Sequence, residues 1–164
     1  MLLERVTPQE RTHLLGIATR TGLFSPEEAE SLLGDVLDGL GASALPEGHQ
    51  AAACHRSHGE PAIGWCYFAP DAHAAGVWNL WWIGVDPEHH GSAAAHTLLA
   101  YVESQVVAAG GRLLVIETGD SEALARARRF YARAQYLECG RIPHFYADNE
   151  AKVIFARRLP GAAG

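Results

Sequence analysis

The chain has 164 residues, 48% of them hydrophobic and 20% charged, which is the balance of a globular domain able to bury one core and excludes a disordered chain, a collagen-like fibre or a coiled-coil rod. Its formal net charge of −6 argues against a generic binder of nucleic-acid backbone. Of its 13 basic residues only Lys152 is a lysine, so contacts to anions fall to arginine.

The three cysteines, Cys54, Cys66 and Cys139, are widely spaced and form no CxxC pair, so neither a disulfide framework nor a zinc site is indicated. The start, MLLERVTPQER, meets charge by Glu4 and lacks the apolar core of a signal peptide. The most apolar stretch, Val77 to Val85, is far shorter than the ~20 residues of a membrane span. The expectation is one soluble, cytoplasmic domain over residues 1–164, with no membrane or nucleic-acid partner.

In chain order, Thr7-Pro8 reads as the cap and first residue of a short helix with Leu14, Leu15 and Ile17 on its apolar side. Ser25-Pro26-Glu27-Glu28 is a stronger start: a capping serine, proline at the first helical position and an acid placed to complete a capping box. Leu32, Leu33, Val36, Leu37 and Leu40 follow at helical spacing, and the helical part ends near residue 41. Gln50–Arg56 and Ala62–Phe68 read as strands joined by the turn His58-Gly59-Glu60-Pro61, and Gly76–Val85 as a third strand. A helix with Ala95, Leu98, Leu99, Val102 and Val106 on one side closes at Gly110-Gly111. Leu113–Ile116 reads as a buried central strand, residues 121–134 as a helix, and Tyr136–Ile142 and Lys152–Leu159 as closing strands before a frayed GAAG tail. The order α-α-β-β-β-α-β-α-β-β predicts an α/β fold: a mixed sheet of about six to seven strands, helices on both faces, and one parallel pair from the β-α-β unit.

Chemistry concentrates where the third strand runs into the next helix, Ile83-Gly84-Val85-Asp86-Pro87-Glu88-His89-His90-Gly91-Ser92-Ala93-Ala94-Ala95. Unpaired N–H groups and the dipole at a helix start attract anions, and Gly91 with the small residues Ser92–Ala95 lets a large anion reach the backbone. A packing turn of small residues would look the same. Among nine histidines, His90 and His96 stand six apart, off the three- or four-residue spacing of one helix face, so no metal site is expected.

This segment resembles the GNAT superfamily of acyl-CoA-dependent N-acyltransferases. Val85-Asp86-Pro87 matches the family's Val-x-Pro strand end, and His90-Gly91-Ser92-Ala93-Ala94-Ala95 aligns with its Gln/Arg-x-x-Gly-x-Gly/Ala loop. His90 stands where Gln or Arg is usual and Ala93 where a glycine is usual. Ala127-Arg128-Arg129-Phe130-Tyr131-Ala132-Arg133-Ala134-Gln135-Tyr136 looks like the family's A-x-x-F-Y-x-x-x-G-[FY] helix end, with Gln135 for the glycine. The likeness covers about residues 49–159 and implies a GNAT fold and acetyl transfer from acetyl-CoA to an amine of a small molecule or peptide. The rival implication is a GNAT-fold domain that binds acyl-CoA or a partner without turnover.

By that resemblance, Ile83 and Val85 hold the cofactor through their backbone, and His90, Gly91, Ser92, Ala93, Ala94 and Ala95 cradle its pyrophosphate. Arg126, Arg128, Arg129 and Arg133 crowd one helix, where Arg128 is a candidate contact to the 3′-phosphate of CoA and a solvated face is the alternative. Tyr131 is the proton donor to the leaving thiolate, its alternative being an aromatic core residue. The family's strand carboxylate has no equivalent between Val77 and Val85. Glu117, at the end of a strand, is the substitute base, with a salt bridge, a solvated strand end or a water chain as alternatives. Trp65, Trp78, Trp81 and Trp82 are expected in the core, with Trp81 and Trp82 on opposite faces. A homodimer is a candidate assembly.

Overall fold

The computed structural model describes residues 1–160; the GAAG tail lies outside them. Seven strands form one mixed sheet in the order β1-β2-β3-β4-β5-β7-β6. The strands are β1 (Leu2–Arg5), β2 (Gln50–His55), β3 (Ala62–Pro70), β4 (Val77–Val85), β5 (Leu113–Gly119), β6 (Leu137–Ala147) and β7 (Glu150–Arg158). The helices are α1 (Arg11–Arg20), α2 (Pro26–Ala29), α3 (Asp35–Gly41), α4 (Ala94–Ala108) and α5 (Ala125–Arg133). The described chain divides into two compact units, residues 1–69 with 82–102, and residues 70–81 with 103 onward.

In the first unit, β2 and β3 alternate their side chains between two covered faces. Ala51, Ala53, Trp65, Tyr67 and Trp82 join Leu14, Ile17, Ala18, Leu33 and Leu37 of α1 to α3 in one core cluster. On the opposite face Phe68 meets Tyr101 of α4 edge-on, with ring centroids 6.3 Å apart. Covering both faces explains why these strands read as continuous apolar runs. The Trp65 indole N–H donates to the Leu14 carbonyl at 3.0 Å, which satisfies its one polar atom inside the core.

Helix starts follow the expected chemistry. The Ser25 hydroxyl accepts from the Glu28 N–H, and the Glu28 carboxylate accepts from the Ser25 N–H, completing the capping box of α2. A π turn over Glu30–Gly34 then joins α2 to α3. The wider turn shifts the phase of the apolar stripe, so Leu33 is buried whereas Leu32, expected on the apolar side, is 58% exposed.

β1 is a strand that local pattern does not predict. It pairs antiparallel with β2, Leu2 opposite His55 and Arg5 opposite Ala52, so its conformation comes from a partner some fifty residues away. Trp81, expected in the core, is 53% exposed, while Trp82 is buried; alternation along β4 separates them as predicted.

The second unit contains the parallel pair. Val77–Leu80 of β4 run beside Leu113–Ile116 of β5, and β7 then pairs antiparallel with β5 from Leu113–Arg158 to Gly119–Lys152. Gly111 lies where a Cβ would fall 2.4 Å from Val106 and 2.8 Å from Trp78, so only glycine lets the end of α4 close onto β4. The Tyr136 hydroxyl and the Arg157 guanidinium both donate to Glu103 of α4 at 2.8 Å. β6 is longer than the sequence pattern indicates, running to Ala147 before a tight return into β7.

Helix α5 ends with Gln135 at φ 65°, in the left-handed region where the family pattern has glycine. A side chain costs about 1 kcal/mol or more there, partly offset by the stiffer unfolded chain. Gln135→Gly is therefore expected to raise stability by about 0.5–1 kcal/mol, read as a higher urea midpoint with an unchanged slope.

Candidate functional site

β4 ends at Val85, and the next residue organises the turn. The Asp86 backbone N–H donates to the Ile63 carbonyl of β3 at 2.8 Å. Its carboxylate accepts from the Glu88 N–H at 3.2 Å and pairs with Arg20 at the end of α1, 2.6 Å away. Asp86 is 7% exposed. Burial alone would raise its carboxyl, but the Arg20 guanidinium and the Glu88 N–H together hold it below the usual carboxylate range.

A single 3-10 turn over Pro87–His89 follows, and then His90 in extended conformation. The His90 Nε2–H donates to the Val85 carbonyl at 3.1 Å, tying the loop back to the strand end. Gly91 takes φ 87°, and no atom lies within 4 Å of where its Cβ would be. The position therefore requires glycine for its backbone angle and is open in front. His90, Gly91, Ser92 and Ala93 are all exposed.

Helix α4 starts at once. The Ala93 carbonyl accepts the first helical bond, from the Thr97 N–H at 2.9 Å, and the Ser92 hydroxyl accepts from the Ala94 N–H at 3.3 Å. The first N–H groups of any α-helix have no partner four residues back. Here they emerge beside small, exposed residues and an open glycine, at the positive end of a 15-residue helix. Chemically such a turn can hold a large anion through backbone N–H groups, without a lysine. The Ala93 side chain is exposed.

Of the strand residues, Val85 is buried and Ile83 half-buried, so backbone is what either can offer a ligand. Nearby, Gly84 lies where a Cβ would fall 2.2 Å from the Trp82 ring. The Trp82 Nε1 is buried and has no hydrogen-bond partner among the described residues.

In the second unit Tyr131 is buried among aromatic rings, with centroids 5.5 Å from Phe130, 5.7 Å from Phe155 and 6.4 Å from Tyr136. Burial pushes its phenol above the ordinary value near 10. Tyr131 thus stays protonated throughout the physiological range, which suits a donor and not a base. The structure shows the aromatic core position that was one of the two sequence readings.

Glu117 lies in β5 two residues before its end, opposite Ile154, and its Oε2 accepts from the Lys152 ammonium at 2.5 Å. That ammonium also lies 3.8 Å from the centre of the Phe145 ring. The salt bridge weighed for Glu117 is therefore present, and its partner is the one lysine of the chain. Lys152 is the partner of Glu117 that sequence reasoning missed. Its signal was its isolation as the one lysine, but the pairing depends on β5–β7 register, which no local pattern encodes.

Arg128 also has a role of its own. Its Nη1 donates to the carbonyls of Gly119 and Ser121 at 2.7 and 2.8 Å, fastening the loop after β5 to α5. Arg129 and Arg133 remain exposed on that helix.

Residues 23–136 match the model of the Acetyltransferase (GNAT) family. A protein from Desulfovibrio desulfuricans described as an acetyltransferase of the GNAT family superposes with a TM-score of 0.87 at 29% identity, covering 97% of this chain and 99% of the other. At lower identity the likeness is one of fold. The Escherichia coli ribosomal-protein-S18-alanine N-acetyltransferase matches with TM-score 0.72 and 16% identity over 99% of this chain and 96% of the other. An aminoglycoside 6′-N-acetyltransferase complexed with coenzyme A matches with TM-score 0.72 and 14% identity over 100% of both chains. No curated protein matched the sequence. No described helix is long and apolar enough to cross a membrane.

Replacing the Asp86 carboxylate tests the anchor of the turn. Asp86→Asn is expected to cost about 1–3 kcal/mol at pH 7, because it leaves Arg20 without its buried partner. A carboxyl held low contributes stability above the unfolded aspartate value of about 3.9 and loses it as pH falls through the folded value. The gap between wild type and variant should therefore narrow below about pH 4 in urea titrations, and a pH-independent gap would contradict the ion pair.

Proposed function

The chain belongs to the GNAT acetyltransferase family, and on that footing we propose that it transfers the acetyl group of acetyl-CoA to a primary amine of a small molecule or peptide by direct attack. The observation that carries this reading is the exposed turn His90–Ala93, open at Gly91 and opening directly into α4. A net charge of −6 leaves little general attraction for a polyanion, so its binding falls to placed backbone N–H groups.

Acetyl-CoA supplies the thioester carbonyl and the thiol leaving group. Gly91, Ser92, Ala93, Ala94 and Ala95 hold its pyrophosphate through backbone, and His90 fixes the loop by its bond to the end of β4. Ile83 and Val85 offer backbone N–H and C=O groups to the pantetheine arm and the acetyl oxygen. Glu117, held by Lys152 through one carboxylate oxygen, takes the proton that the amine loses. Tyr131 gives its proton to the departing sulfur, since burial keeps the phenol intact at neutral pH. Arg128 keeps the loop after β5 in shape and leaves phosphate contact to the exposed arginines of α5. The three free thiols, two of them buried, suit the reducing cytoplasm, which we take to be its compartment.

Calorimetry with acetyl-CoA is the direct test, and no heat at millimolar cofactor would overturn the proposal. Binding without turnover of any amine in a broad panel would replace it with a non-catalytic acyl-CoA binder. In an active preparation, Tyr131→Phe is expected to lower kcat by about 10²-fold with little change in KM for acetyl-CoA. Glu117→Gln should likewise lower kcat at least about tenfold, and an unchanged kcat would assign the amine's proton to water.

A further inference from the structure

Lys152 carries the one primary amine among the side chains of this protein, and that amine stands where acetyl transfer needs an acceptor. Its Nζ donates to Glu117 Oε2 at 2.5 Å, the carboxylate proposed to take the acceptor's proton. The centre of the Phe145 ring lies 3.8 Å from the same nitrogen. A carboxylate on one side and an aromatic face on the other hold a primary ammonium well. Here the ammonium they hold is the protein's own.

Strand register puts it there. Lys152 pairs with Gly119 of β5. Glu117 and Gly119, two apart along β5, share a face of the sheet, and Lys152 shares that face as the residue opposite Gly119. Glycine gives the lysine no cross-strand side chain to stand over, and its long stem leans along β5 to Glu117. A Cβ at Gly119 would fall 2.2 Å from Glu150 Oε1 and 2.9 Å from Leu124, so even one methyl group at this position displaces its neighbours. The Lys152 side chain is 12% exposed and that of Glu117 29%. An amine this covered is a poor target for an acyl group arriving at random from solvent, and a good one for a thioester bound beside its base.

We infer that the protein acetylates its own Lys152 within one molecule, which rests on the acetyl-transfer reading and on Glu117 as its base. One ammonium proton passes to Glu117 along the existing hydrogen bond and leaves a lone pair on Nζ. Nζ attacks the thioester carbonyl of acetyl-CoA and forms the new N–C bond. As the tetrahedral intermediate collapses, a second proton leaves nitrogen for water and the C–S bond breaks. The thiolate takes the Tyr131 proton, which solvent replaces, and Glu117 returns its own to solvent. The products are Nε-acetyl-lysine and coenzyme A, with one proton released in all. Acetylated Lys152 is uncharged, so the ion pair to Glu117 and the contact of a cation with Phe145 end with the reaction.

Incubation of the purified protein with acetyl-CoA and no added amine should end at one acetyl group per chain by intact mass, and trypsin should no longer cut after Lys152. The rate per molecule should stay constant over a roughly hundredfold range of protein concentration, as a reaction within one molecule requires. Amino termini are ordinarily less basic than lysines, so spontaneous acylation would favour the terminal amine of the chain. Glu117→Gln should slow the modification at least about tenfold, and Lys152→Arg should take up no acetyl group at residue 152. Circular dichroism melts establish that both variants are folded. Bound acetyl-CoA in calorimetry with an unmodified Lys152 would overturn self-acetylation and leave transfer to other amines standing, whereas no bound acetyl-CoA would overturn both. A rate that rises with protein concentration, an acetyl group found chiefly on the terminal amine, or a folded Glu117→Gln that reacts as fast as wild type would also overturn it.

Discussion

A buried carboxylate at the end of β4 is the constraint on which the strand-to-helix turn depends. Asp86 reaches three separate pieces of chain: β3 through its backbone N–H, α1 through Arg20, and the following turn through the Glu88 N–H. Leaving such a carboxylate unpaired in the interior would cost more than the ion pair gains, so the three contacts act as one unit. With the strand end held, Pro87 and the left-handed Gly91 determine how the chain enters α4 and where its first N–H groups emerge. An acidic chain and a helix start that attracts anions are therefore compatible. The partial positive charge at a helix start is local, and backbone supplies it.

The second unit handles its polar groups by pairing. Glu103 accepts from Tyr136 and Arg157, Glu117 from Lys152, and the carbonyls of Gly119 and Ser121 from Arg128. The same pairings constrain chemistry. Lys152, the one lysine of the chain, is committed to Glu117 and the face of Phe145, and Arg128 is committed to the loop after β5. Tyr131 differs, because its surroundings are aromatic rings and the effect of burial is to keep its proton in place.

Much of the fold was legible because its signals are local. The Ser25–Glu28 capping box, the turn at Gly59 and the left-handed Gln135 follow from residues within a few positions of one another, and the parallel pair of the β-α-β unit from the order of its elements. The exposed loop at Gly91 was legible for the same reason, since small residues between a strand end and an amphipathic helix mark it. Misreadings arose where distant chain decides. β1 is a strand because β2 pairs with it. Leu32 is exposed because a π turn changes the helical phase, and Lys152 meets Glu117 because β7 lies beside β5 in one particular register.

By itself, then, the sequence determined the periodicities, caps and turns, and with them the element order, the α/β class and the likeness to the acetyltransferase family, because each depends on backbone preferences and spacing within one element. Tertiary structure alone decided which side chains are already engaged. Glu117 has a lysine, Arg128 holds carbonyls, Trp81 faces outward and β6 is left bare. Those outcomes depend on the register between strands and on what covers each face, and the free energy of such contacts belongs to pairs of residues far apart in the chain.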